Sequence, residues 1–117
     1  MEEGAYEVWH VKPERARELR ETEAPVMVRF PRDYELVARV QARYLEEVFA
    51  KTSDIGDPWW RNQGVECLKE SRATMVNDIV RTPNRDVYAV APHGWQLLHS
   101  PALEQAQAQE QKPKLAH

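Results

Sequence analysis

The sequence has too little cysteine and too few apolar runs for several classes of protein. Cys67 is the only cysteine among 117 residues, which excludes an intrachain disulfide and a cysteine-based zinc cluster. No apolar stretch approaches the roughly 20 residues that a membrane-spanning helix needs. The N-terminal segment also lacks the apolar core of a signal peptide. We therefore expect a cytoplasmic protein that has no membrane partner.

The chain also lacks a large excess of positive or negative charge. Sixteen basic and nineteen acidic residues give a formal net charge of −3. This balance argues against a generally basic nucleic-acid-binding protein, although it is compatible with a local basic face. Residues 1–23 contain seven acids and four bases, so the rest of the chain is close to neutral.

The C-terminal segment has few large apolar side chains. From residue 100 onward the chain is rich in Gln and Ala, and Leu103 and Leu115 are its only large apolar residues. Ala, Gln and Glu favour helix intrinsically, but a short helix is stabilised mainly by burial, and this segment has little to bury. We predict one domain over residues 1–99 and a flexible, disordered tail over residues 100–117.

The N-terminal half alternates between strand and helix patterns. Aromatic and β-branched residues at 6–11 predict a strand, and Pro13 suits the first turn of a helix that ends near residue 23. Residues 26–30 are predicted to be extended. Apolar and polar side chains alternate over residues 34–41, with Val37 as the one exception. This alternation favours a strand followed by a helix from residue 43 or 44, rather than one helix over the whole stretch.

The last third of the predicted domain has the pattern of a β-meander. Short apolar runs occupy residues 78–81, 86–91 and 95–98, and they are separated by turn-forming residues that include Pro83 and Gly94. We therefore predict an α+β domain. It contains a small antiparallel sheet, two short helices and a C-terminal three-stranded meander.

Four blocks of sequence together resemble a known family. They are residues 33–49, 57–60, 72–80 and 87–98. Their order and spacing are similar to those of the small YodL-like domains of plasmids, phages and integrative elements, in which a YELV strand precedes an LEDIF-type helix. YELV stands at 34–37 here, whereas Ala73 and Met75 replace serines common in that family and Trp95 replaces a phenylalanine. The resemblance implies accessory, non-enzymatic work in a mobile genetic element and supplies no active site.

Complete catalytic and metal-binding signatures are lacking as well. The sequence has no HExxH or equivalent spacing among its four histidines, His10, His93, His99 and His117. If the first strand lies near the last hairpin, His10 and His93 approach each other beside Asp78 or Asp86, as in a general-base or metal site. The alternative is that these are surface or turn histidines. Cys67 is predicted to be a semi-buried thiol. We expect no enzyme activity, no catalytic residues, no cofactor and no metal.

Tryptophan, by contrast, is frequent, with four residues in the chain. Trp and Arg dominate the energetically important positions of protein interfaces. In the alternative interpretation, the rings of the Trp59–Trp60 pair fold over a small core. We predict a binding surface that contacts a host or element-encoded protein and consists of Trp59, Trp60, Arg61, His93 and Trp95.

Two further functions remain open at this point. The first is a single-stranded nucleic-acid-binding module, based on the arginines at positions 29, 32, 39, 43 and 61, although acidic residues such as Glu35 interleave with them. The second is a small His/Asp-dependent hydrolase or metal-binding enzyme. A small sheet with open edges is also compatible with a homodimer.

Overall fold

The computed structural model describes residues 3–21, 29–54 and 58–102. Its elements, in chain order, are β1 (Gly4–Val11), α1 (Pro13–Glu21), β2 (Tyr34–Ala42), α2 (Leu45–Thr52), a 3₁₀ turn (Trp59–Arg61), β3 (Val65–Cys67), β4 (Ile79–Arg81), β5 (Val87–Val90) and β6 (Trp95–His99). The strands form one six-stranded sheet in the order β3-β2-β1-β4-β5-β6. Every neighbouring pair is antiparallel.

The predicted fold class is confirmed: an antiparallel sheet with two helices, of which β4, β5 and β6 form the C-terminal meander. The separate strand and helix predicted between residues 34 and 49 are confirmed too, as β2 and α2. The extended segment predicted at 26–30 lies mostly outside the described residues, and Phe30 lies in a turn.

The predicted tail lies outside the described residues from position 103 onward. Before that point, Ser100 is buried, and its hydroxyl donates a hydrogen bond to Asp86 at 2.8 Å. Tight packing therefore reaches one residue beyond the boundary predicted at residue 99.

A β-bulge in β2 explains the one exception in its alternating pattern. Val8 pairs with Ala38, and the next residue of β1, Trp9, pairs with Leu36, so that Val37 is the extra residue of β2. Val37 is fully buried, and its carbonyl accepts the N–H groups of Leu68 and Lys69. The bulge turns Val37 towards the core instead of the solvent-facing side of the strand.

Both faces of the sheet carry apolar clusters. On one face, α2 and the 3₁₀ turn cover a buried cluster formed by Tyr6, Val8, Val37, Ala38, Val40, Ala42, Val48, Trp59 and Val80. On the other face, Ala16 of α1 and Phe30 pack against a smaller cluster formed by Val11, Tyr34, Ile79 and Val87. Within the described residues, no helix combines the length and apolar character needed to cross a membrane.

Candidate functional site

The two adjacent tryptophans have different environments. Trp59 is only 1% exposed, and its indole N–H donates to the carbonyls of Ser71 and Arg72 at 3.0 and 3.1 Å. Trp60 is half-buried, and its ring lies nearly perpendicular to that of Trp59 with centroids 5.6 Å apart. Our prediction that both rings form a surface is therefore corrected for Trp59. This side chain supplies core area that a small sheet otherwise lacks.

The other predicted binding residues lie at two separate turns. Arg61 is exposed at the end of the 3₁₀ turn, and His93 is exposed in the turn between β5 and β6. Trp95 is half-buried and packs edge-on against Phe49 of α2 at a centroid distance of 6.3 Å. Phe49 also lines a cavity with Trp60. Trp60 and Trp95 therefore lie on one side of the sheet, joined through Phe49. Of the predicted residues outside the Trp59–Trp60 pair, Arg61, His93 and Trp95 do not line that cavity.

An apolar groove of about 910 Å³ opens between α2 and residues 71–76. Its main apolar walls are Phe49, Trp60, Met75 and Val76, and the buried ring of Trp59 also lines it. Met75 is 47% exposed and Val76 is 41% exposed. Two adjacent large apolar side chains thus remain accessible beside two aromatic rings.

One carboxylate, that of Asp54, lies at the rim of the groove. Asp54 and Arg72 are the charged residues among its described lining, and Arg72 is engaged by Asp78. Asp54 is exposed, and its carboxylate accepts a hydrogen bond from the neutral side chain of Asn62 at 2.9 Å. Asp54 is therefore the charged lining residue, among those described, that has no ion-pair partner.

The sequence patterns do not identify Met75 and Val76 as surface residues. One signal in the sequence could have indicated their exposure: they are adjacent apolar residues in a segment without the alternation of a strand. In the structure this segment is an irregular connection between β3 and β4, and it places both side chains at the groove.

Next to the groove lies a cluster that we call the buried polar cluster: His10, Thr74 and Asp78 are buried, and Ser71 and Arg72 are half-buried. His10 is 1% exposed. Its Nε2 is 2.9 Å from the Thr74 hydroxyl, and its Nδ1 is 3.1 Å from the Ser71 hydroxyl. Burial lowers the pKa of His10 to about 4 despite the opposing charge of Asp78. The imidazole is therefore neutral at pH 7, and the interpretation as a surface or turn histidine is wrong for His10.

Asp78 is the anionic centre of the buried polar cluster. Its fully buried carboxylate accepts two hydrogen bonds from the Arg72 guanidinium, at 2.6 and 2.8 Å, and further bonds from the backbone N–H groups of Val11 and Met75. These four bonds join β1 to the segment before β4. Because its oxygens are occupied in this way, the charge of Asp78 is compensated within the fold.

Ser71 and His10 have the spacing of a nucleophile and a base. The Ser71 hydroxyl lies beside the neutral Nδ1 of His10, and both residues line a cavity of about 220 Å³. Asp78 makes no hydrogen bond to His10 but approaches its Nε2 to 3.9 Å. His93 makes no contact with His10 in the described part of the chain, so the predicted pairing of these histidines is not formed.

Two of the five arginines proposed for nucleic-acid binding have acidic partners, and the Cys67 thiol is not activated. Arg32 lies 3.2 Å from Asp33, and Arg39 lies 3.5 Å from Glu66, which reduces the positive field available for phosphates. Burial raises the pKa of the Cys67 thiol, opposite to the shift of a reactive cysteine. Over residues 3–21, 29–54 and 58–102, no three His, Cys, Asp or Glu side chains converge to hold a metal ion.

Comparisons with known proteins found no relative from which a function could be inferred. The chain matches no protein-family model, and neither a curated protein nor a solved structure matches it.

Proposed function

We propose that this chain is a non-enzymatic binding protein whose apolar groove takes up a short segment of another protein. The observation that carries the proposal is the exposure of Met75 and Val76 opposite Phe49 and Trp60. Contiguous exposed apolar area rimmed by polar groups is typical of interaction sites. Aromatic and methionine side chains are also enriched at protein interfaces.

The charge at the rim indicates the chemistry of the partner. Asp54 is the carboxylate at the rim, and Asp78 compensates the charge of Arg72. A bound segment with two or three apolar side chains and a neighbouring Lys or Arg would complement both the walls and the rim. The YodL-like resemblance supports a host or element-encoded partner within a mobile genetic element, and we place the protein in the cytoplasm.

Selection from a random peptide library on the immobilised protein tests this proposal. We expect the selected peptides to share apolar residues beside a basic one and to lose binding to Met75→Asp and Val76→Asp. Leu68→Asp is the matched control, because Leu68 is 43% exposed but does not line the groove. Asp54→Lys should shift the selection from basic to acidic neighbours. Peptides that bind all four variants equally would show that the groove is not the binding site.

Hydrolysis through Ser71 is the second candidate function. One observation favours it: the Ser71 hydroxyl lies 3.1 Å from the Nδ1 of His10, whose imidazole is neutral. A fluorophosphonate probe tests it directly. The Ser71 oxygen would form a bond to phosphorus, fluoride would leave, and the hydroxyl proton would pass to His10. Adduct formation on the native chain, lost in Ser71→Ala, would support this function, and an unmodified mass at high probe concentration would exclude it.

A further inference from the structure

The two edges of the sheet differ in how well they are protected against pairing. The edge strand β3 has three residues, includes Glu66, and is followed by Lys69 and Glu70. The edge strand β6 has five residues, WQLLH, with no acidic residue, lysine or arginine. Its Leu97 and Leu98 are 41% and 49% exposed. Charges and short length are two protections of an edge strand, and β6 has neither; its bulge at Leu98 lies beyond the segment 95–97.

Among the described residues, the backbone groups of Trp95 and Leu97 have no partner strand at this edge. The Ala91 N–H donates to the Gly94 carbonyl at 3.0 Å, which closes the hairpin between β5 and β6. Hydrogen-bonded and non-hydrogen-bonded pairs alternate along an antiparallel ladder. Gln96, opposite Ala89, therefore bonds to β5, whereas Trp95 and Leu97 direct their N–H and C=O groups away from it.

We propose that two copies of this chain form a dimer by antiparallel pairing of their β6 strands about a two-fold axis at Gln96. In this register Trp95 of each copy lies opposite Leu97 of the other, as a hydrogen-bonded pair. Gln96 lies opposite its own counterpart, as a non-hydrogen-bonded pair. The two six-stranded sheets then continue into each other.

The properties of β6 favour a second copy as the occupant of this edge. The strand has no acidic residue, lysine or arginine that would repel an identical strand, and this register sets the apolar side chains of Trp95 and Leu97 opposite each other. Outward donors and acceptors at Trp95 and Leu97 match themselves under two-fold rotation. A single strand pair gives a small interface, so we expect a weak dimer whose population depends on concentration. The proposal is independent of the apolar groove.

Sedimentation of the full chain from micromolar to millimolar concentration tests the dimer. We expect the native chain to associate with rising concentration. Leu97→Lys should remain a monomer because it removes both Trp–Leu pairs and sets two like charges diagonally across the two-fold axis. Leu68→Lys adds the same charge at an exposed position outside β6 and should still dimerise. Thermal melting of both variants checks that folding is retained. A native chain that stays monomeric throughout, or a folded Leu97→Lys variant that still dimerises, would overturn the proposal.

Crosslinking tests the register and separates a second copy from a foreign strand. On a Cys67→Ser background, Gln96→Cys should form a disulfide-linked dimer under mild oxidation. Non-hydrogen-bonded pairs bring their Cα atoms to about 4.5 Å, within the range of a disulfide. Leu68→Cys on the same background should remain mostly monomeric. Equal crosslinking of the two variants would contradict pairing about Gln96.

Discussion

At the residue scale, His10 couples the stability of the fold to pH. Its folded-state pKa of about 4 lies below its ordinary value of 6.5, so the unfolded chain binds a proton more readily than the folded chain. The stabilisation is fully present above pH 6.5 and is lost as the pH falls towards 4. From the two pKa values, we expect a loss of about 2 to 3 kcal/mol between pH 7 and about pH 4.5.

Urea unfolding across this pH range checks the expectation when the native chain is compared with His10→Gln. Glutamine retains groups that can hydrogen-bond to Ser71 and Thr74 but does not titrate. Carboxylates near His10, including Asp78 and Glu35, are present in both proteins and contribute to both curves. The native chain should lose stability more steeply. Parallel curves would mean that His10 is not held in its neutral form.

The Arg72–Asp78 ion pair is a second determinant of stability at this scale. Removing the guanidinium in Arg72→Met leaves the buried Asp78 carboxylate with two backbone donors, and we expect the free energy of unfolding to fall by about 3 kcal/mol. Arg39→Met breaks the exposed pair with Glu66 and should cost less than about 1 kcal/mol. Chemical denaturation measures both changes. Equal, small losses would show that Asp78 is not buried with a full charge.

At the element scale, the bulge in β2 decides which face of the sheet receives Val37. Strict alternation would place Val37 with the exposed residues, but the bulge buries it completely. In Val37→Thr a hydroxyl enters the core without a partner, and we expect a loss of about 2 kcal/mol. Gln41→Thr, at an exposed position of the same strand, should change stability by less than about 0.5 kcal/mol. A neutral Val37→Thr variant would contradict the bulge.

Most elements of this fold could be predicted from local sequence because their determinants are local. The alternation in β2 and the turn residues between β4, β5 and β6 are readable within a few positions. The strand order β3-β2-β1-β4 is not, because it depends on contacts such as Val8 with both Ala38 and Val80, which are distant in sequence. The bulge was visible only as the unexplained apolar residue Val37.

At the scale of the whole molecule, the candidate site is formed by segments that are distant in sequence, and no local sequence pattern predicts that they lie close together. Composition indicated that tryptophans matter, and the structure assigns the adjacent pair to different roles. Phe49, Met75 and Val76 reach the groove only because α2 and the segment before β4 cover the same face of the sheet. His10 and Ser71 are 61 residues apart in sequence and meet for a similar reason.

The different environments of the tryptophan pair give a prediction that separates folding from binding. In Trp59→Phe the donor to the carbonyls of Ser71 and Arg72 is lost from the core. We expect this variant to lose about 2 kcal/mol of stability and to keep its affinity for peptides that bind the groove. Trp60→Ala removes an aromatic wall and should keep its melting temperature within a few degrees. Its affinity should fall at least tenfold, as at an interface hot spot of about 2 kcal/mol.

Thermal melting and fluorescence anisotropy with one labelled peptide measure both quantities on the same preparations. The diagnostic result is the crossed pattern, in which one variant loses stability and the other loses affinity. If Trp60→Ala binds as tightly as the native chain, the groove wall does not contribute to recognition. If Trp59→Phe loses affinity at a temperature where it is fully folded, the buried ring shapes the binding site as well as the core, because it lines the groove.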